Sequence, residues 1–95
     1  MNASYQQPSL SGGAFTLDHF LRGELGTITA IETDIELRQR LAALGLREGS
    51  AFQVLRKAGF GGPIHVRVGT TEVIMRLNEA KRIRAASLVN DLAAP

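Results

Sequence analysis

Between Ile64 and Val68 every second residue is aliphatic, with His65 and Arg67 in between and a glycine-bearing break on each side. A period of two puts Ile64, Val66 and Val68 on one face of an extended chain and the polar pair on the other, so this is a strand with one face buried and one wet. Such a strand needs partners, and the chain supplies them at short intervals. Phe52 and Val54 alternate with Gln53 in the stretch Ala51 to Lys57, and Thr71 to Arg76 follows a turn at Gly69-Thr70. Thr27 to Ile31 forms an earlier strand and Ile83 to Ala86 a last one. Ile28 and Ile31 stand three apart rather than two, which predicts a bend or bulge of the kind a tight barrel requires. Five short strands around one small core predict a mainly β fold, a small barrel.

One segment breaks the β pattern. Thr33-Asp34-Ile35-Glu36 has capping-box spacing, with the Thr33 hydroxyl and the Glu36 carboxylate expected to satisfy backbone donors at a helix start. Leu37, Leu41 and Leu44 then recur at helical spacing, and Gly45 stands where a left-handed residue would end the helix. One α-helix of about three turns is therefore expected between the first two strands. Leu41 and Leu44 belong to its buried stripe, and Arg38 and Arg40 fall off it. Shorter helical turns are expected at Leu17 to Leu21, capped by Thr16, and at Asn78-Glu79-Ala80.

A chain of 95 residues holds one such core and no deep pocket besides, which places function on the surface. The absence of cysteine removes disulfides, thiolate chemistry and every cysteine-based metal site, and it fits a reducing cytoplasm. Met1 to Leu10 carries neither a basic segment nor an apolar run, and no later stretch reaches the ~20 apolar residues of a membrane span. Neither a standard export signal nor a transmembrane segment is expected. Residues 1–14 are read as a flexible N-terminal tail, 15–86 as the folded domain, and 87–95 as a C-terminal tail that is either a frayed helix or loose.

Net charge is +2, with all 11 Lys and Arg between residues 21 and 86 against 7 of the 9 acids. The two signs are interspersed, which is a solubility pattern more than the footprint of a polyanion. Small basic barrels that bind nucleic acid place stacking aromatics beside a basic groove. Here Tyr5 falls in the tail and Phe52 in the core, so nucleic acid is the secondary reading. His19 and His65 stand apart without ligand spacing, and neighbours such as Asp18 and His19 are not expected to face each other on a helical turn. Gly59 to Gly62 precedes a proline and a strand rather than a helix, which argues against a phosphate loop. No dyad, metal cluster or large pocket suggests catalysis, and neither cofactor nor small-molecule substrate is expected.

The ordered series of signals resembles the FeoA family. It is carried by Gly23-Glu24, Gly26 and Ile28, then by Arg40-Leu41, Leu44-Gly45-Leu46 and Gly49. Val54-Leu55-Arg56, Gly62-Pro63-Ile64, Val66, Gly69, Arg76, Asn78-Glu79-Ala80 and Ile83 complete it, so that it spans residues 15–86. The resemblance implies an SH3-like β-barrel with one inserted α-helix. It also implies a cytoplasmic accessory protein of ferrous iron uptake that binds and regulates FeoB, the GTP-binding permease, and meets the inner membrane only through that partner. Related domains occur at the C-terminus of metal-dependent repressors, behind DNA-binding and dimerisation domains for which this chain has no room.

Two surfaces are candidates for such a partner. On the outward side of the helix, Arg38, Arg40 and Arg47 could engage carboxylates bidentately. At the hairpin, Phe60 folds back over the barrel, stands as an exposed anchor or sits in a loop that is simply mobile, with His65, Arg67, Arg56 and Lys57 expected close by as steering charge. Leu37, Leu41, Leu44, Gly45, Ile64, Val66 and Val68 are assigned to the framework.

Overall fold

The structure is a computed structural model that describes residues 15–88. The expected tails, apart from Ser87 and Leu88, lie outside the described residues. Six antiparallel strands form one sheet in the order β1-β6-β2-β3-β4-β5. They are β1 (Phe15–Thr16), β2 (Leu25–Ile31), β3 (Ala51–Lys57), β4 (Ile64–Val68), β5 (Thr71–Met75) and β6 (Ile83–Ser87). A 3-10 turn at Leu17–His19 follows β1, helix α1 (Ile35–Ala43) joins β2 to β3, and a single turn α2 (Leu77–Ala80) joins β5 to β6. Five of the strands are those the alternation predicts. The sixth, β1, has two residues, too few to show a period, and it pairs Phe15 with Ala85 and Thr16 with Arg84.

The inner face of the sheet carries Ile28, Ile31, Phe52, Val54, Ile64, Val66, Val73, Met75, Ile83 and Ala85, all buried. Leu17 and Phe20 enter this core from the 3-10 turn, and Leu41 and Leu46 enter it around α1. The register of β2 on β6 shifts between Ile28 and Ala30. This bulge inserts one residue into the alternation, so that both isoleucines of the odd-spaced pair point inward. Gly26 lies where two rings converge: a Cβ there would stand 2.6 Å from Phe52 Cζ and 2.7 Å from Phe20 Cε2. The two rings meet edge to face with centroids 5.2 Å apart, a favoured aromatic geometry.

Two details of α1 correct the sequence reading. Its N-cap is Asp34, whose carboxylate accepts from Leu37 N at 2.9 Å. The expected capping box of Thr33 and Glu36 does not form: Asp34 takes the cap, which puts Leu37 rather than Glu36 three residues on, and the cap is this single bond. At the other end, Leu44 is not core but 39% exposed. The helix stops at Ala43, Gly45 turns left-handed with φ +94, Gly45 N donates to Ala42 O and Leu46 N to Leu41 O, each at 2.9 Å. This paired closure drops Leu46 onto Leu41, and Leu46 fills the place that helical periodicity assigns to Leu44.

A candidate docking surface

The loop between β3 and β4 turns on Phe60 and Gly61. Gly62 N donates to Gly59 O at 3.2 Å across them, and their φ angles are +57 and +78. Two left-handed central residues define a type I′ turn, which matches the twist of flanking strands and favours Asn-Gly. Phe60 therefore occupies a position that costs a bulky residue roughly 1–2 kcal/mol. Its side chain is fully exposed, so the fold-back alternative is excluded. Among the described residues Phe60 is the one non-glycine with positive φ.

Residues paired across antiparallel strands share a face. The row behind Phe60 on the outer face is Arg56, His65 and Ile74, and the row beyond it is Gln53, Arg67 and Glu72. Arg67 thus stands about 7 Å further along β4 than His65, two residues at strand rise. Arg56 and Arg67 are exposed and have no ion-pair partner among the described residues. Ile74, which the sequence reading passed over, is 60% exposed beside them. Its signal was parity: it shares phase with Glu72 and Arg76, not with Val73 and Met75.

Lys57 does not join this surface. It pairs with Ile64 on the core-facing side, past the register shift between Val54 and Arg56, and its Nζ donates to Asp18 O at 2.8 Å. The ammonium pins the 3-10 turn to the end of β3. The helix arginines divide in a similar way. Arg38 donates to Ile31 O and lies 3.8 Å from Glu48 Oε2, while Arg40 donates to Glu79 Oε2 at 3.0 Å. Both tie α1 to its surroundings, leaving Arg47 as the member of that group without a side-chain partner among the described residues.

Glu79 joins two elements. Its Oε1 accepts from Arg76 N at 3.0 Å, closing the start of α2. That backbone donor, assisted by the Arg40 and Arg76 guanidinium groups and opposed by partial burial, holds the Glu79 carboxyl below its ordinary value of 4.5.

The histidines stay apart, His19 on the 3-10 turn and His65 in β4. Contrary to the helical expectation, His19 and Asp18 do approach, with Nδ1 3.7 Å from Oδ1. The Thr16 hydroxyl bonds both side chains and draws them together. Among the described residues no group of three or more His, Asp or Glu is placed to hold a metal ion. None of the helices there is long and apolar enough to cross a membrane.

Residues 15–86 match the FeoA domain model. The solution structure of the FeoA protein from Chlorobium tepidum is 33% identical, with a TM-score of 0.76 over 85% of this chain and 77% of that one. A crystal structure of an iron uptake regulatory protein (FeoA) is 28% identical, with a TM-score of 0.72 over 79% of this chain and 99% of that one. A manganese-dependent transcriptional repressor is also 28% identical at a TM-score of 0.72, but the match covers only 42% of its length.

Proposed function

This chain belongs to the FeoA domain family, and from that membership we propose that it is a non-catalytic accessory protein of ferrous iron uptake that binds and regulates the FeoB permease from the cytoplasmic side. The observation that carries this reading is Phe60, a large apolar side chain held in water on a backbone conformation that disfavours it. Strain and exposure at one residue are retained where a contact repays them. Phe60 supplies the anchor, Ile74 extends the apolar area, and Arg56 and Arg67 supply unpaired charge for an acidic patch on the partner. Arg47 stands outside this surface and contributes through general steering. The protein tunes transport without itself holding iron or nucleotide.

Affinity capture from detergent-solubilised membranes at low salt tests the proposal. Recovery of FeoB with the wild-type chain and its loss with Phe60→Asn is the expected result. Recovery of nucleic acid alone would transfer the function to the polyanion-binding class. Anaerobic calorimetry with ferrous iron or zinc should show no saturable one-to-one binding, and a micromolar site would overturn the partner-only reading.

A further inference from the structure

The sheet ends at β5, which has a neighbour on one side only. The turn Gly69-Thr70 closes the β4–β5 hairpin with Val68 opposite Thr71, and Gly69 has φ +63. Counting outward from such a two-residue turn, Thr71, Val73 and Met75 exchange backbone hydrogen bonds with β4. The N–H and C=O of Glu72 and Ile74 point away from the sheet, and none of the described residues takes them up. A groove about 810 Å³ in volume runs along this edge between β5 and α1, with Arg40, Leu44, Val73, Ile74 and Met75 on its walls. The edge therefore has open space beside it.

Exposed edges are ordinarily blunted by a lysine, a proline or a bulge. Here β5 carries no lysine, proline or bulge; its outward side chains are Glu72 and Ile74, and Arg76 follows just past its end, so the exposed series reads acid, isoleucine, base. That pattern is symmetric about Ile74 in position and complementary in charge. An antiparallel pair of identical strands has a two-fold axis, and an axis at Ile74 sets Ile74 against its copy and each Glu72 against the Arg76 of the second copy. Moving the axis to Val73 would put Glu72 against Ile74 and leave Arg76 against Thr70. An axis at Glu72 would bring the two carboxylates together, at a cost.

We propose that two copies of this chain pair through β5 in the Ile74-centred register, giving a two-fold dimer whose sheet runs through both molecules. The free backbone groups at Ile74 bond across the axis, and the pairing ends at Arg76, whose N–H is already committed to Glu79. The dimer sets the two outer faces side by side. It does not depend on the reading of Phe60 as a permease contact, since Phe60 takes no part in the pairing; Ile74 belongs to both surfaces, and Gly61 and Pro63 of the hairpin loop line the same groove.

The chain has no cysteine, so Ile74→Cys introduces one thiol per copy. Across a hydrogen-bonded antiparallel pair the Cα atoms lie about 5.5 Å apart, within disulfide range. Mild oxidation should cross-link Ile74→Cys, and a mixture of Glu72→Cys with Arg76→Cys, while Glu36→Cys on α1 stays monomeric. In sedimentation, Glu72→Arg should halve the mass seen for the wild type, and Glu72→Arg combined with Arg76→Glu should restore it. Circular dichroism confirms that each variant is folded. A wild-type chain that remains monomeric at millimolar concentration overturns the proposal. So does a dimer that ignores the charge swap or cross-links as readily at Glu36→Cys as at Ile74→Cys.

Discussion

Phe60 and Gly26 show how much a single position can demand. At Phe60 the backbone prefers Asn or Gly and the side chain gains nothing locally, so Phe60→Asn should leave stability equal or raise it by up to about 1 kcal/mol. The same variant should weaken partner binding by more than about 1 kcal/mol. Chemical denaturation beside a binding titration separates the two effects, and a stability loss of about 3 kcal/mol would mark Phe60 as core. Gly26 is the opposite case, a residue kept small by its neighbours. Gly26→Ala must push apart the Phe20 and Phe52 rings and crowd the Ala86 carbonyl of β6, 2.9 Å from the new Cβ, and it should cost about 1–3 kcal/mol as overpacking. A melt unchanged from wild type would mean the rings have room to move. The sequence placed Phe60 at a loop tip but could not orient it, because one Phe among three glycines carries no periodicity. Only the turn type, fixed by two φ angles, settles which way the ring points.

At the scale of elements, α1 and α2 are held by different means. The apolar attachment of α1 is Leu41, with Leu37 partly buried beside the core and Leu46 just past the helix end, so Leu41→Ala should destabilise by roughly 2–5 kcal/mol. Leu44→Ala should change stability by less than about 0.5 kcal/mol. Equal losses at both positions in urea melts would contradict the observed end of the helix. The polar attachment is Glu79, bonded to Arg76 N and Arg40. Because its folded pKa lies below the unfolded value, the unfolded state binds the proton more readily and stability rises with pH through this window. The contribution is complete above about 4.5 and fades as pH falls through the lowered folded value. The stability gap between wild type and Glu79→Gln should therefore be widest near neutral pH and close below pH 4.5, as thermal melts at stepped pH would show. Strands β3 and β4 were legible to the residue, since alternation and glycine breaks mark both ends. The cap of α1 and the exposure of Leu44 were not, because two capping residues stood side by side and helical periodicity does not say where a helix stops.

For the whole molecule, family membership and the SH3-like barrel follow from the order of short signals along 15–86, each weak and all consistent with one topology. The candidate surface was only half legible. Arg56, His65 and Arg67 share the outer face, but the register shift after Val54 carries Lys57 to the core-facing side, and no one-dimensional pattern announces which residue of a strand will bulge. Long-range pairing also decides that Arg38 and Arg40 serve the fold, since Ile31, Glu48 and Glu79 are brought to them by chain reversal. Of the helix and hairpin surfaces, the hairpin tip is the one whose neighbouring arginines, Arg56 and Arg67, have no ion-pair partner among the described residues. The most direct test is the binding kinetics of the purified chain on immobilised, detergent-solubilised FeoB, with wild type, Phe60→Asn and Arg67→Ala compared at two salt concentrations. The account predicts faster dissociation for Phe60→Asn at unchanged stability, and for Arg67→Ala a lower association rate with a shallower salt dependence. Wild-type affinity and rates in both variants would contradict it.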